Sequence, residues 1–334
     1  MKSRTTILFI LFTAAVAVLF AADIAVGSVS IPIRDVWAAL TGGECDPTTA
    51  RIIRDIRLMK AVVALVAGAA LAVSGLQMQT LFRNPLAGPY VLGVSSGASL
   101  GVALFILGAP MLGLTGHAWL SSLGVAGAAW IGAAATLALV AAISTRIKDI
   151  MVILILGMMI SSGVSAIVQI LQYLSAEEAL KSFVVWTMGS LGDVTATQLA
   201  LLLPAVAAGA ALSVAAIKSL NMLLLGENYA RSMGLDLRRS RSIILLSTTL
   251  LAGTVTAFCG PIGFIGLAMP HVARVIFRNA DHRTLMPAAA LTGAASLLLC
   301  DMVAKLLALP VNSITALLGI PVVVWVVVRN RNIV

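Results

Sequence analysis

Residues 223–241 read LLLGENYARSMGLDLRRSR and carry six formal charges: Glu227, Arg231, Asp236, Arg238, Arg239 and Arg241. The chain on either side is apolar. Residues 194–217 and 242–273 contain no Asp, Glu, Lys or Arg. An island of charge between two stretches long enough to cross a bilayer is a surface loop of a membrane protein. The composition agrees. Of 334 residues, 60% are hydrophobic and only 10% are charged, against about 25% in a soluble domain. Mean hydropathy is +1.06. No polar stretch is long enough to build an aqueous domain. The net charge of +9 therefore reads as cations held at the cytoplasmic face rather than as a nucleic-acid surface.

Crossings can be counted from charge-free stretches, because lipid offers a backbone no hydrogen-bond partner and each crossing takes about 20 apolar residues. Residues 5–22, 61–82, 150–176, 194–217, 284–300 and 306–328 each fit one. Residues 84–145 are too long for one helix and are broken by LGAPMLGLTGH at 107–117, so they make two. Residues 242–273 are broken by Gly260-Pro261 and make two more, the second containing Pro270. The total is ten, which puts both termini on one side. The N-terminal MKSRTTILFILF imitates a secretory signal but is expected to stay as the first crossing. Alternating the loops places 15 of the 22 Lys and Arg on one side and 7 on the other. The richer side, which includes residues 218–241, is cytoplasmic. Gly93, Gly97 and Gly101 recur at spacing four, a small-residue stripe suited to close helix packing, with a pore lining as the alternative.

Some chemistry is missing from this pattern. No acid or base falls near the middle of a crossing; Asp23 and Asp301 lie near outer ends and Arg274 near an inner one. Ion-coupled carriers usually keep a buried ionisable group as relay. His117, His271 and His282 are too dispersed for a metal site, and Cys45, Cys259 and Cys300 have no ligand or disulfide spacing. There is no HExxH and no phosphate-binding G-x-x-x-x-G-K-[ST]. A transporter of this kind takes its energy from elsewhere, and the charged loop is where a partner would dock. Glu227 suits the first turn of a short helix, Tyr229 and Met233 share a face, and Gly234 stops it. Lipid headgroups or a partner protein both fit that surface. RNPLAGP at 83–89 reads as a turn, with two prolines and an asparagine.

Four stretches carry a resemblance over nearly the whole length. They are LVAGAALAVSGLQMQTLFRNPLAGPYVLGVSSGASLG (65–101), LGENYARSMGL (225–235), CGPIGFIGLAMPHVARVIFRNADHRTLMPAAALTGA (259–294) and SITALLGIPVVVWVVV (313–328). The chain resembles the FecCD-type permeases, the membrane subunits of ABC importers for ferric siderophores, haem and vitamin B12. The resemblance implies an all-α, ten-span permease of the type II importer architecture in the bacterial cytoplasmic (inner) membrane. It implies a single transmembrane domain over 1–334 with residues 218–241 as its cytoplasmic coupling loop. Expected partners are a second copy (or a related permease), two ATPase subunits, an external substrate-binding protein and membrane lipid, with no nucleic acid. The chain itself is then a translocator and not an enzyme. It binds no cofactor or metal, and ATP and magnesium are used by the ATPase. The expected cargo is a ferric siderophore, with haem or vitamin B12 as alternatives; a stand-alone carrier or channel is the weaker reading of another class. By motif, Gly226, Glu227, Ala230, Arg231, Gly234 and Leu235 couple to the ATPase, and Asn84 and Leu86 form a cytoplasmic gate. Arg57, Lys60 and Lys305 would dock the binding protein. There the family's RLPR reads RLMK, and LLALPVNS lacks a glutamate before its Leu-Pro.

Overall fold

A computed structural model describes residues 2–27, 29–108, 122–144, 147 and 149–329. The described residues are helices and connecting turns. In chain order we label them α1 (Lys2–Ala25), α2 (Ile33–Thr41), α3 (Pro47–Leu81), α4 (Val94–Gly108), α5 (Ser122–Ser144), α6 (Ile150–Leu174) and α7 (Glu177–Thr187). There follow α8 (Ala196–Leu223), α9 (Glu227–Ser232), α10 (Leu237–Cys259), α11 (Ile265–Phe277), α12 (His282–Leu307) and α13 (Val311–Arg329). Six contain a stretch long and apolar enough to cross a bilayer: α1, α3, α6, α8, α10 and α12. Shorter apolar helices lie within α4, α5, α11 and α13. These ten correspond one for one with the crossings counted from sequence. The break expected at 107–117 lies, from residue 109 on, outside the described residues, as do Arg146, Lys148 and Arg331.

Helix ends differ from the charge-free stretches. α3 begins at Pro47, capped by Asp46, whose side chain accepts from Thr49 N at 3.0 Å. At 1.5 Å per residue its 35 residues span about 50 Å, well beyond the roughly 30 Å hydrocarbon layer. The helix carries Arg51, Arg54, Asp55 and Arg57 out of the membrane, where charge does not stop it. α10 likewise starts inside the charged island, with Asp236 accepting from Arg239 N at 3.0 Å. The break at Gly260-Pro261 is real: Gly260 takes φ 72°, and α11 has only 13 residues.

The chain divides into two compact units whose segments interleave along the sequence. One comprises residues 1–72, 190–203 and 262–334. In it α12 packs against α1, α11 and α13. A Cβ at Gly68 or at Gly293 would overlap the other's carbonyl, so these two glycines let α3 and α12 touch backbone to backbone. Phe9 and Phe12 pack on Phe277, with ring centroids 4.8 and 5.7 Å apart. The other unit comprises residues 73–189 and 204–261. Its core holds Val94, Ala98, Val102, Ala129, Ala133, Phe183 and Ala257. The small-residue stripe expected on α4 packs closely at all three positions. Gly97 and Gly101 meet Gly132, Thr136 and Ala128 of α5, leaving no room for a Cβ. Gly93, at φ 81° before the N-terminus of α4, leaves a Cβ only 2.8 Å from Ser161 Oγ and 3.1 Å from Thr136 Cγ2.

Candidate coupling surface, gate turn and outer ion cluster

The charged island folds as a turn–helix–turn. α8 ends at Leu223, and Leu224 and Leu225 are exposed. Gly226 takes φ 102° and ψ 152°, a conformation closed to side-chain-bearing residues without strain. It lets the chain turn straight into α9. Ala230 is fully buried beneath that helix, while Tyr229, Arg231 and Met233 are exposed. Gly234 at φ 83° ends it, and Leu235 N donates back to Ala230 O at 3.0 Å. Glu227 and Arg231 are spaced for pairing along the helix, but the Glu227 carboxylate instead accepts from Arg241 Nη2 at 2.6 Å. This bridge ties the start of α9 to α10. Ser240 Oγ donates to Ser219 Oγ at 3.1 Å and ties α10 to α8. The outward surface combines apolar Leu224, Leu225, Tyr229 and Met233 with cationic Arg231, Arg238 and Arg239.

The turn after α3 lies in the same unit. Asn84 N donates to Gln79 O at 3.1 Å, and its Oδ1 accepts from Leu86 N at 2.9 Å. This asparagine turn, with Arg83 at φ 48°, fixes the turn's direction. The Asn84 side chain is thus already engaged within its own turn. Leu86 is exposed, and Ala87 and Pro89 are buried beneath it. The turn and the charged island meet: a Cβ at Gly226 would lie 3.6 Å from Arg83 Nη1. The two sites singled out separately in the sequence are therefore neighbours.

The three outer cations lie in the other unit, and the structure brings them together around two aspartates. Arg57 is 4% exposed, and its guanidinium bridges three backbone carbonyls at the end of α1. It donates to Ala25 O at 2.8 Å, Ile24 O at 3.3 Å and Val29 O. Lys305 Nζ reaches Asp23 Oδ1 at 2.9 Å, Asp301 Oδ2 at 2.8 Å and the Asp23 carbonyl at 3.0 Å. Lys60 Nζ pairs with Asp301 Oδ1 at 3.1 Å, with 22% of its side chain exposed. Both carboxylates are fully buried. Asp23, Asp301, Lys60 and Lys305 sum to zero charge and join α1, α3 and α12. Sequence reasoning took the aspartates for markers of helix ends and missed their role here. A signal existed for Asp301 and Lys305, four residues apart on one helix face. None existed for Asp23, which is 282 residues from Lys305.

With ten apolar helices among the described residues, a cationic turn between α8 and α10 and a Pro-containing turn after α3, the chain can be compared with known proteins. The profile of the FecCD transport family matches residues 14–329. This chain belongs to the FecCD transport family. It is 37% identical over 314 residues to the hemin transport system permease HmuU of Yersinia pestis, covering 91% of this chain and 90% of the relative. It is 34% identical to the molybdate import system permease MolB of Haemophilus influenzae, over 88% of this chain and 86% of that one. It is 36% identical to the vitamin B12 import system permease BtuC of Escherichia coli, over 83% of each. A solved structure described as an inward-facing metal-chelate type ABC transporter superposes with a TM-score of 0.84 at 31% identity. That alignment covers 97% of this chain and 99% of the other. The FecCD protein described here is thus the multi-pass permease subunit of an ABC importer in the inner membrane. Its family implies ATPase and substrate-binding partners.

Proposed function

We propose that this chain, as a homodimer, forms the translocation path of an ATP-driven importer for a metal chelate, a ferric siderophore. The observation that carries the ATP-driven part is the exposed α9 surface, held between α8 and α10 and touching the turn of Asn84 and Leu86. Tyr229, Met233 and Arg231 present an apolar and cationic patch to the ATPase, which uses ATP and magnesium. Closure of the ATPases pushes α9, and the neighbouring turn opens or narrows the inner end of the path. At the outer face, Lys60 offers the binding protein a partly exposed cation, while Arg57 and Lys305 hold the helix ends that position it. Hemin is the second reading for the cargo, favoured by the similarity to the Yersinia pestis hemin permease.

Proteoliposomes carrying the permease, its ATPase and its binding protein test this. Uptake of ferrichrome, hemin, cyanocobalamin and molybdate is compared with and without ATP. ATP-dependent uptake of ferrichrome above the others is expected; preference for hemin selects the second reading. Uptake that ignores ATP would return the chain to the class of stand-alone carriers. Arg231→Glu, on an exposed position, is expected to lower ATPase stimulation on the order of tenfold without loss of membrane insertion.

A further inference from the structure

Residues of three helices, all within one compact unit, meet at a buried polar cluster that the proposal above does not use. Gln77 of α3, Ser213 of α8 and Ser247 of α10 are each 0–1% exposed. Gln77 Nε2 donates to Ser213 Oγ at 2.6 Å and to Ser247 Oγ at 3.1 Å. The two hydroxyls lie 2.8 Å apart, and both reach the carbonyl of Gly209, at 3.0 and 2.9 Å. Both amide hydrogens and both hydroxyl hydrogens are thereby used. Inside a membrane helix bundle an unmade bond of this kind finds no water to replace it. The four groups therefore hold the three helices in one register.

The backbone around the cluster is fitted to it. A Cβ at Gly209 would stand 2.9 Å from Leu251 Cγ and 3.1 Å from Leu250 Cβ, so α10 closes on α8 only because position 209 is glycine. Just past Ser247, α10 widens into a π-helical stretch, Thr249–Gly253. Leu250 and Leu251 of that stretch lie against Gly209, and Ser247 keeps its bonds.

The placement of the cluster gives it a second meaning. Ser213 lies ten residues before the end of α8, and Ser247 lies ten residues after the start of α10. Both anchors of the coupling turn thus reach the same amide, each about 15 Å away along its helix. Gln77 itself lies seven residues before Asn84, on the helix that leads into the gate turn. We propose that Gln77 is a positioning residue for transport: it locks α8 and α10 to α3, so that a push on α9 moves the gate turn with it. This role rests on α9 being the ATPase contact proposed above. The contact between Arg83 and Gly226 is a second link, but it runs through one long exposed side chain. The buried cluster joins three helices through one short amide, whose Nε2 makes both of its bonds while its Oε1 has no partner among the described residues.

The test uses the complete complex with its ATPase in proteoliposomes, with a cysteine replacing Asn84 so that disulfide crosslinking between copies reports the gate. Crosslinking is measured with and without Mg-ATP, beside the rate of ATP hydrolysis. Gln77→Leu, close in shape, is expected to keep hydrolysis within about twofold of the parent and to cut the nucleotide-dependent change in crosslinking on the order of tenfold. Crosslinking that responds to nucleotide as in the parent overturns the inference. So does a parallel fall in both readouts, which marks a fold defect and not a lost transmission. Arg231→Glu separates the two proposals. If it leaves both readouts unchanged, the coupling surface itself is misplaced; if it suppresses them while Gln77→Leu does not, only the role of Gln77 fails. Should Gln77→Leu not accumulate in the membrane, Ser213→Ala with Ser247→Ala removes the same bonds and is read the same way.

Discussion

Asp301 shows how much one buried carboxylate can organise. It receives Lys305 from its own helix and Lys60 from α3, and with Asp23 it balances both ammonium charges. Removing one partner from a buried charge set leaves the remainder uncompensated. Asp301→Asn is expected to destabilise the permease by about 3 kcal/mol, measured by unfolding in mixed micelles. Lys60→Met should cost less, because Lys60 retains contact with solvent. The double variant should cost less than the sum, since the two groups share one bond. Arg57 works differently. Its planar fork reaches three carbonyls, a geometry that a lysine point charge does not reproduce. The two cations that the family resemblance singled out for docking beside Lys60 are thus occupied inside their own unit. Cation identity and spacing were legible in the sequence. Burial was not, because it depends on Asp23 arriving from the far end of the chain.

At the scale of helices, glycine position decides which pairs approach closely. A Cβ at Gly132 would overlap the carbonyl of Gly97, whereas a Cβ at Gly127 on the same helix meets nothing within 4 Å. Gly132→Val is expected to force α4 and α5 apart and lower stability by about 2 kcal/mol, as overpacking does. Gly127→Ala should be neutral or slightly stabilising. Thermal unfolding of both variants in one detergent checks the contrast. The glycine stripe on α4 was visible as a spacing of four. Its partner on α5 was not, because alanines and glycines fill that segment and nothing local marks Gly132. The same limit applies to Gln77, Ser213 and Ser247. Each reads as an ordinary polar residue in an apolar run, and only the packing of three helices makes them one cluster.

For the molecule as a whole, the alternation of charge predicts which side each loop faces. Ser232, at the end of α9, and Glu178, on α7, are both exposed. With Cys45 replaced by serine, a cysteine at 178 should react with a membrane-impermeant maleimide on intact cells, and one at 232 only after the membrane is opened. Reaction at 232 from outside would invert the topology. The sequence by itself determined the ten apolar helices, their order, the family and the place of the charged turn between α8 and α10. Hydrophobic length, loop charge and turn residues act locally or follow from the bilayer, so they can be read along one dimension. It did not determine how far helices run past the hydrocarbon. Once charge is outside the lipid it no longer ends a helix, as α3 and α10 show. Only the tertiary structure decided which polar residues are satisfied and by whom. In an apolar environment every buried donor must find an acceptor, and those of Gln77, and Asp23 beside Lys305, come from helices distant in sequence. Apart from the Asp301–Lys305 pair at spacing four, the partners of Arg57, Lys60, Lys305 and Gln77 were therefore settled by three-dimensional proximity.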